Sequence, residues 1–412
     1  MSTSEGAIPA VEGPPLDRIS FKRYSDQLVE IATTNACLSA VTCGVYRFWG
    51  KTNLRRHFWN RIYVYGDPLE YTGTGKELLF GFLTALVIIA PFYSLYKFGP
   101  VVVDQTSLVA QIALVLFYAV GIILAVFLYH FAVFRTFRYR LSRTRWRGIV
   151  AGLNGSSWRY AKTGLFYSLL TVVSLGIAYP LQNVVLFRKR VEAAYLGSAS
   201  FRFDGIVKPL LWRWVFLWIP LATLTGIALF IVMRYVNSLE PFLQAGTKPP
   251  DPSSFETKAI TALPFLYIAA IVGYYWYRVA RLRYFLDHLH IAGISFQSEF
   301  KFHRLILAAI LYGLATGVIV LPLLLITSAT LHFAFSKNPT AALIGIGVMA
   351  LIAYGISSFF YTILILHPMT RHFFDSFKTK GTPDFAAITQ VSAKDKPRYG
   401  EGLADILDIG AF

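Results

Sequence analysis

Apolar residues along this chain collect in long runs, and the basic residues collect between them. A helix that crosses a bilayer needs about 20 mostly apolar residues. Six stretches meet that length: 78–96, 108–134, 210–233, 260–277, 305–335 and 342–366. None has an acidic residue at its centre. Two further stretches are weaker. Residues 28–49 include Glu30, Asn35 and several threonines, and residues 164–187 include Pro180, Gln182 and Asn183.

The basic stretches between the runs resemble one another, and repeats of this kind set the topology of a fold. Five of them align on a small residue: Gly66, Gly155, Ser198, Gly293 and Gly381. Ten residues before each stands an arginine: Arg56, Arg145, Arg188, Arg283 and Arg371. The run Arg140, Arg143, Arg145 has the spacing of Arg278, Arg281, Arg283. Apolar residues follow three places on (Leu69, Trp158, Phe201, Phe296) and five places on (Tyr71, Tyr160, Phe203), the alternation of a strand. The fifth copy departs, with Asp384 at the first of these places. The pattern predicts a helix end, then a turn between two short extended pieces.

The two weak stretches also match. TCGVY from Thr42 and SLGIA from Ser174 each place a glycine twelve residues before a recurring arginine, Arg56 or Arg188. The predicted division is a tail over 1–20, repeat A over 21–163, repeat B over 164–303, a shortened repeat C over 304–385 and a tail over 386–412.

Composition changes the picture in one respect. Hydrophobic residues make up 55% and charged residues only 15%, against about 25% charged in a soluble domain. Yet 39 Lys and Arg face 22 Asp and Glu, a net charge of +17. Such a balance excludes an ordinary soluble enzyme and a nucleic-acid-binding domain, and points to a membrane protein with basic loops. Of the 39 cations, only Lys97, Arg234, Lys248, Lys258 and Lys337 fall in or beside three of the loops. The positive-inside rule places the other side, with all five basic stretches and both termini, in the cytoplasm. That holds only if the two weak stretches do not cross. The expected fold class is therefore an all-α polytopic membrane protein. It has six transmembrane helices, two re-entrant or interfacial segments, and small helix-hairpin units in internal repeats.

The stretch YRFWGKTNLRRHFW from Tyr46, followed by GDPLEYTGTGKEL from Gly66, resembles the YjgN-type family of bacterial inner-membrane proteins. So do RTRWRGI from Arg143 and GSSWRY from Gly155. The resemblance covers roughly residues 20–385. It implies a multi-pass inner-membrane protein of unknown function and supplies no catalytic residues.

Candidate chemistry is sparse. Thr72–Glu77 superficially suggests a phosphate loop, but the glycine spacing is wrong and Glu77 stands where a hydroxyl is needed. His288 and His290 are two imidazoles without a clear third ligand. Cys37 and Cys43 fit no metal or redox spacing and read as packing residues. No catalytic set, metal site or cofactor is expected. Arg56, Arg140, Arg143, Arg145, Arg188, Arg278, Arg281, Arg283 and Arg371 are the candidates for contact with an anion or lipid head group. Within modules the same arginines could instead pair with Glu70, Glu192, Asp287 or Asp375. Glu30, Gln182 and Asn183 are the intramembrane polar candidates. Two functions are expected. One is a transporter or channel for a small neutral or anionic solute. The alternative is a non-enzymatic structural protein that binds anionic lipid. Membrane lipids are the expected partners, and nucleic acid is not.

Overall fold

Each basic stretch folds as a helix end followed by a strand, and in four of the five a β-hairpin completes it. The computed structural model describes residues 19–22, 27–102, 107–245, 255–337, 339–381 and 388–390. The expected tails over 1–20 and 386–412 lie outside these, apart from 19–20 and 388–390.

The chain begins with β1 (Ile19–Phe21), α1 (Gln27–Val41) and α2 (Arg47–Trp59). The hairpin β2 (Ile62–Val64) and β3 (Asp67–Tyr71) leads to α3 (Gly75–Val102) and α4 (Leu108–Ser142). Next come β4 (Thr144–Trp146), β5 (Ile149–Leu153), α5 (Ser157–Val173) and α6 (Tyr179–Val191). A third hairpin, β6 (Ala194–Leu196) and β7 (Ala199–Phe203), leads to α7 (Lys208–Ala245) and α8 (Phe255–Asp287). The fourth, β8 (Leu289–Ile291) and β9 (Ile294–Ser298), leads to α9 (Phe302–Lys337). Then α10 (Pro339–Phe360) runs through a π-helical segment (Tyr361–Leu366) into α11 (His367–Asp375) and β10 (Phe377–Lys380).

Four two-residue turns set the hairpins. Tyr65–Gly66, Arg147–Gly148 and Ala292–Gly293 hold positive φ at both positions, the twist that suits adjacent antiparallel strands. At Gly197–Ser198 only the first residue has positive φ, which also fits a two-residue hairpin.

Among the described residues ten strands join one antiparallel sheet in sequence order. The fold is therefore not all-α: the short extended pieces pair with one another across the whole chain. Side chains alternate between faces along each strand, and the register makes one face apolar. Ile19, Phe21, Ile62, Val64, Leu69 and Trp146 share it with Ala151, Leu196, Phe201, Ile291, Phe296 and Phe377. The other face carries Glu70, Arg145, Arg202, His290, Lys378 and Lys380. The sheet curls on its apolar side. Ile19 and Val64, from its start, pack in one cluster with Ile291, Ile294, Phe296 and Phe377 from its end. β10 comes to lie beside β1, so the sheet is barrel-like and its interior is filled with apolar side chains.

Five helical hairpins rise from this sheet, each leaving one strand and returning to the next. Each helix packs on its neighbours in sequence, and α10 packs back on α1. The helices thus run in a closed ring above the curled sheet. Among the described residues, five helical stretches are long and apolar enough to cross a membrane: Gly75–Phe98, Leu108–Ser142, Lys208–Asn237, Phe302–Leu323 and Leu343–Asp375. The sixth expected stretch lies on α8, which is not among those five.

The two weak stretches are not single helices. Each breaks at a five-residue turn, between α1 and α2 or between α5 and α6. Cys43 and Gly44, and likewise Leu175 and Gly176, take positive φ. The Gly44 and Gly176 amides donate to the Ser39 and Thr171 carbonyls, both at 2.7 Å, a Schellman-type closure. The chain then doubles back. Asn35 donates to the Gly50 carbonyl at 3.1 Å across the first hairpin.

Candidate functional site

The expected alignment on Gly155 is out of register. The second hairpin turns at Arg147–Gly148, Arg145 lies on β4, and Trp158 and Tyr160 belong to α5. With Gly148 as the anchor, the arginine ten residues earlier is Arg138. The apparent match of Arg140, Arg143 and Arg145 with Arg278, Arg281 and Arg283 falls away.

The corrected series has a common contact. Arg56 donates to the Gly73 carbonyl at 2.9 Å, Arg188 donates to the Gly205 carbonyl at 2.7 Å, and Arg138 donates to the Gly155 carbonyl. In each, the guanidinium near a helix end ties down the loop that carries the chain from its hairpin into the next helix. Arg283 reaches the Ser298 carbonyl at 3.3 Å in the fourth unit. Arg371 instead pairs with Asp375 at 3.5 Å, and Arg188 also lies 4.0 Å from Glu192.

The remaining candidates separate. Arg143 grips Glu77 with two nitrogens, at 2.8 and 3.1 Å, and Tyr139 donates to the same carboxylate at 2.9 Å. The loop over Thr72–Glu77 is thus fastened to the end of α4. Arg145 is exposed and stands opposite Glu70 in the sheet register. Arg140 is half-buried near the end of α4. Glu30 is exposed in the first turn of α1. Gln182 is held at both ends, accepting from Thr171 at 3.1 Å and donating to Ser168 at 2.7 Å. Ser168 also meets His130 at 2.8 Å. Gly164 permits the close approach of α4 and α5, because a Cβ there would lie 2.3 Å from the His130 ring.

Asn183 and Arg281 are brought together. Arg281 donates to Asn183 Oδ1 at 2.5 Å and to the Tyr179 hydroxyl at 3.3 Å. The Tyr179 and Tyr274 hydroxyls are 3.1 Å apart. Arg278 lies over the Tyr274 and Tyr275 rings. Sequence spacing does not join these residues, since α6 and α8 are far apart in the chain. Their shared signal is polar residues within otherwise apolar stretches.

One other group differs from expectation. Cys37 and Cys43 are free and exposed, so they do not pack in a core. His290 meets Asp204 at 3.2 Å and His288 Nδ1 meets the Tyr284 carbonyl at 2.9 Å, and among the described residues no three ligands of a metal converge. His57 is buried on α2, and burial, then Arg61 and His367, pushes its pKa down to about 4.

A bacterial family of unknown function, DUF898, matches residues 17–406. The chain belongs to this family. The YjgN-type resemblance read from the basic stretches is the same family. Neither a curated protein nor a solved structure matches the chain.

Proposed function

We propose that the chain is a six-span bacterial inner-membrane protein built from three related units. In this reading it works without catalysis and binds anionic lipid on the side that carries the sheet. α8 is the sixth span, α1/α2 and α5/α6 are re-entrant hairpins, and both termini are cytoplasmic.

The observation that carries this reading is the outer face of the sheet. Arg145, Arg202, His290, Lys378 and Lys380 line it. Glu70 stands opposite Arg145, Asp204 pairs with His290 and Glu299 with Lys378, which among the described residues leaves Arg202 and Lys380 as its cations without a carboxylate across from them. Five helical hairpins stand on that collar, so it lies at the level of lipid head groups in this topology. Basic groups near an anionic leaflet each contribute about 1 kcal/mol of attraction.

The test is the phospholipid that co-purifies with the full chain. Enrichment of anionic over zwitterionic lipid is expected, with a clear drop in the Arg145→Gln, Arg202→Gln double variant. A lipid profile equal to that of the bulk membrane overturns the reading.

The closed ring of helices favours a second reading, passage of a small neutral or anionic solute along the ring axis. That path meets the apolar layer around Ile291, Ile294 and Phe296. Transport therefore requires this layer to part, as in pores gated by an apolar constriction.

A further inference from the structure

We propose that α6, α7 and α8 form a discrete binding site for one phosphate-type anion, occupied by the head group of an anionic phospholipid. The occupant rests on the lipid reading above, whereas the site rests on its own geometry and shares no residue with the collar.

Arg281 is the centre of the argument. An arginine stays protonated in proteins and presents five N–H donors. Its hydrogen bonds go to two neutral groups, the Tyr179 hydroxyl and Asn183 Oδ1. Among the described residues no carboxylate pairs with it. A half-buried cation without a counterion is costly, and a bound anion removes that cost.

Tyr277 supplies the second, independent observation. It is fully buried, and its hydroxyl has no hydrogen-bond partner. A buried hydroxyl left unsatisfied costs about 1–3 kcal/mol, so this group is placed to donate to something the protein does not itself provide. Arg281 stands one helical turn further along α8, on the same side of the helix. The Tyr179 and Tyr277 rings lie 6.1 Å apart, and Trp214 packs against both at 4.8 and 4.9 Å. The Tyr179 ring, which the guanidinium contacts through its hydroxyl, and the Tyr277 ring are thus walled by one indole.

The hairpin tip walls the site. The indoles of Trp214 and Trp218 donate to the Gly176 and Leu175 carbonyls, both at 2.9 Å, which fixes the tip of the α5/α6 hairpin against α7. Along α8 the site stands about ten residues of helix, roughly 15 Å, from the sheet, so its ligand reaches in past the level of the collar. A phosphate oxygen there accepts from Arg281 and from Tyr277 together.

The experiment is thermal unfolding of the detergent-purified full chain, titrated with phosphatidylglycerol, with phosphatidylcholine or with inorganic phosphate. Phosphatidylglycerol is expected to raise Tm and phosphatidylcholine is not. Arg281→Gln should raise the half-saturating concentration about tenfold, the loss of one charge-assisted hydrogen bond. Tyr277→Phe keeps the ring and removes the unsatisfied hydroxyl. It should leave the lipid-free Tm unchanged or higher and still weaken the lipid response severalfold. A merely structural Tyr277 would not separate those two readouts. If phosphatidylglycerol stabilises both variants as well as the parent, the site is overturned while the collar reading stands. Stabilisation by inorganic phosphate alone, lost in Arg281→Gln, supports the site and overturns the lipid as its occupant. No response of the parent to any of the three ligands overturns the proposal.

Discussion

At the scale of single residues, the recurring arginine acts on the backbone. Arg56, Arg138 and Arg188 each reach the carbonyl of a glycine, Gly73, Gly155 or Gly205, beyond the hairpin. A cation in a basic loop serves topology wherever it stands, but a planar donor is needed to hold a carbonyl at a fixed angle. Replacing Arg188 with Met should therefore cost about 1–3 kcal/mol of stability, read as a fall in Tm, with co-purifying lipid unchanged. Lys at this position should recover only part of that loss. The spacing of the arginine was legible in the sequence because it recurs. Its acceptor was not, because a backbone carbonyl leaves no mark on residue type. In the second unit Gly148 and Gly155 compete as anchors, and the tryptophan three residues after Gly155 favoured the wrong one. The better signal was the two-residue turn Arg147–Gly148 between TRW and IVAGL.

At the scale of elements, the two weak stretches carry a pattern that sets them apart but does not place their break. Their polar content and matched glycines marked them as different from the six long runs. What the pattern does not give is where the chain reverses, which depends on two consecutive residues of positive φ. Gly176 carries φ of +94°, and a Cβ there would lie 3.0 Å from the Trp218 indole nitrogen. Gly176→Ala should destabilise the protein by about 1 kcal/mol or more. It should also loosen the α5/α6 tip from α7, read as faster amide exchange around 175–178. The long helices were legible at their starts, because an apolar run of that length has few other places to go, but α4, α7 and α8 run on well beyond their apolar runs.

At the scale of the whole molecule, the arrangement of hairpins bears directly on topology. Every helical hairpin, short or long, starts and ends at one sheet. If the long pairs cross the bilayer, all five turns back to the sheet lie on the same side, and α5/α6 does not cross. A reporter inserted at the exposed turn residue Gly148 and another at Lys208, beyond the α5/α6 hairpin, should both report the cytoplasm. Opposite signals would overturn the topology. The sheet was illegible in the sequence because its key pairings are distant. Leu69 meets Trp146, and Leu153 meets Ala194, across whole helical hairpins. Short strands of three to five residues carry too little pattern to name their partners.

The closure of this ring orders its assembly. Phe21 stacks on Phe374 at 6.2 Å, and α1 packs on α10, so these elements find each other only after all the hairpins between them have been made. Until then β1 has β2 on one side and an open seam on the other. The nascent chain must keep that seam from pairing elsewhere while the intervening hairpins are inserted one after another. The final strand, Phe377–Lys380, is what shuts it.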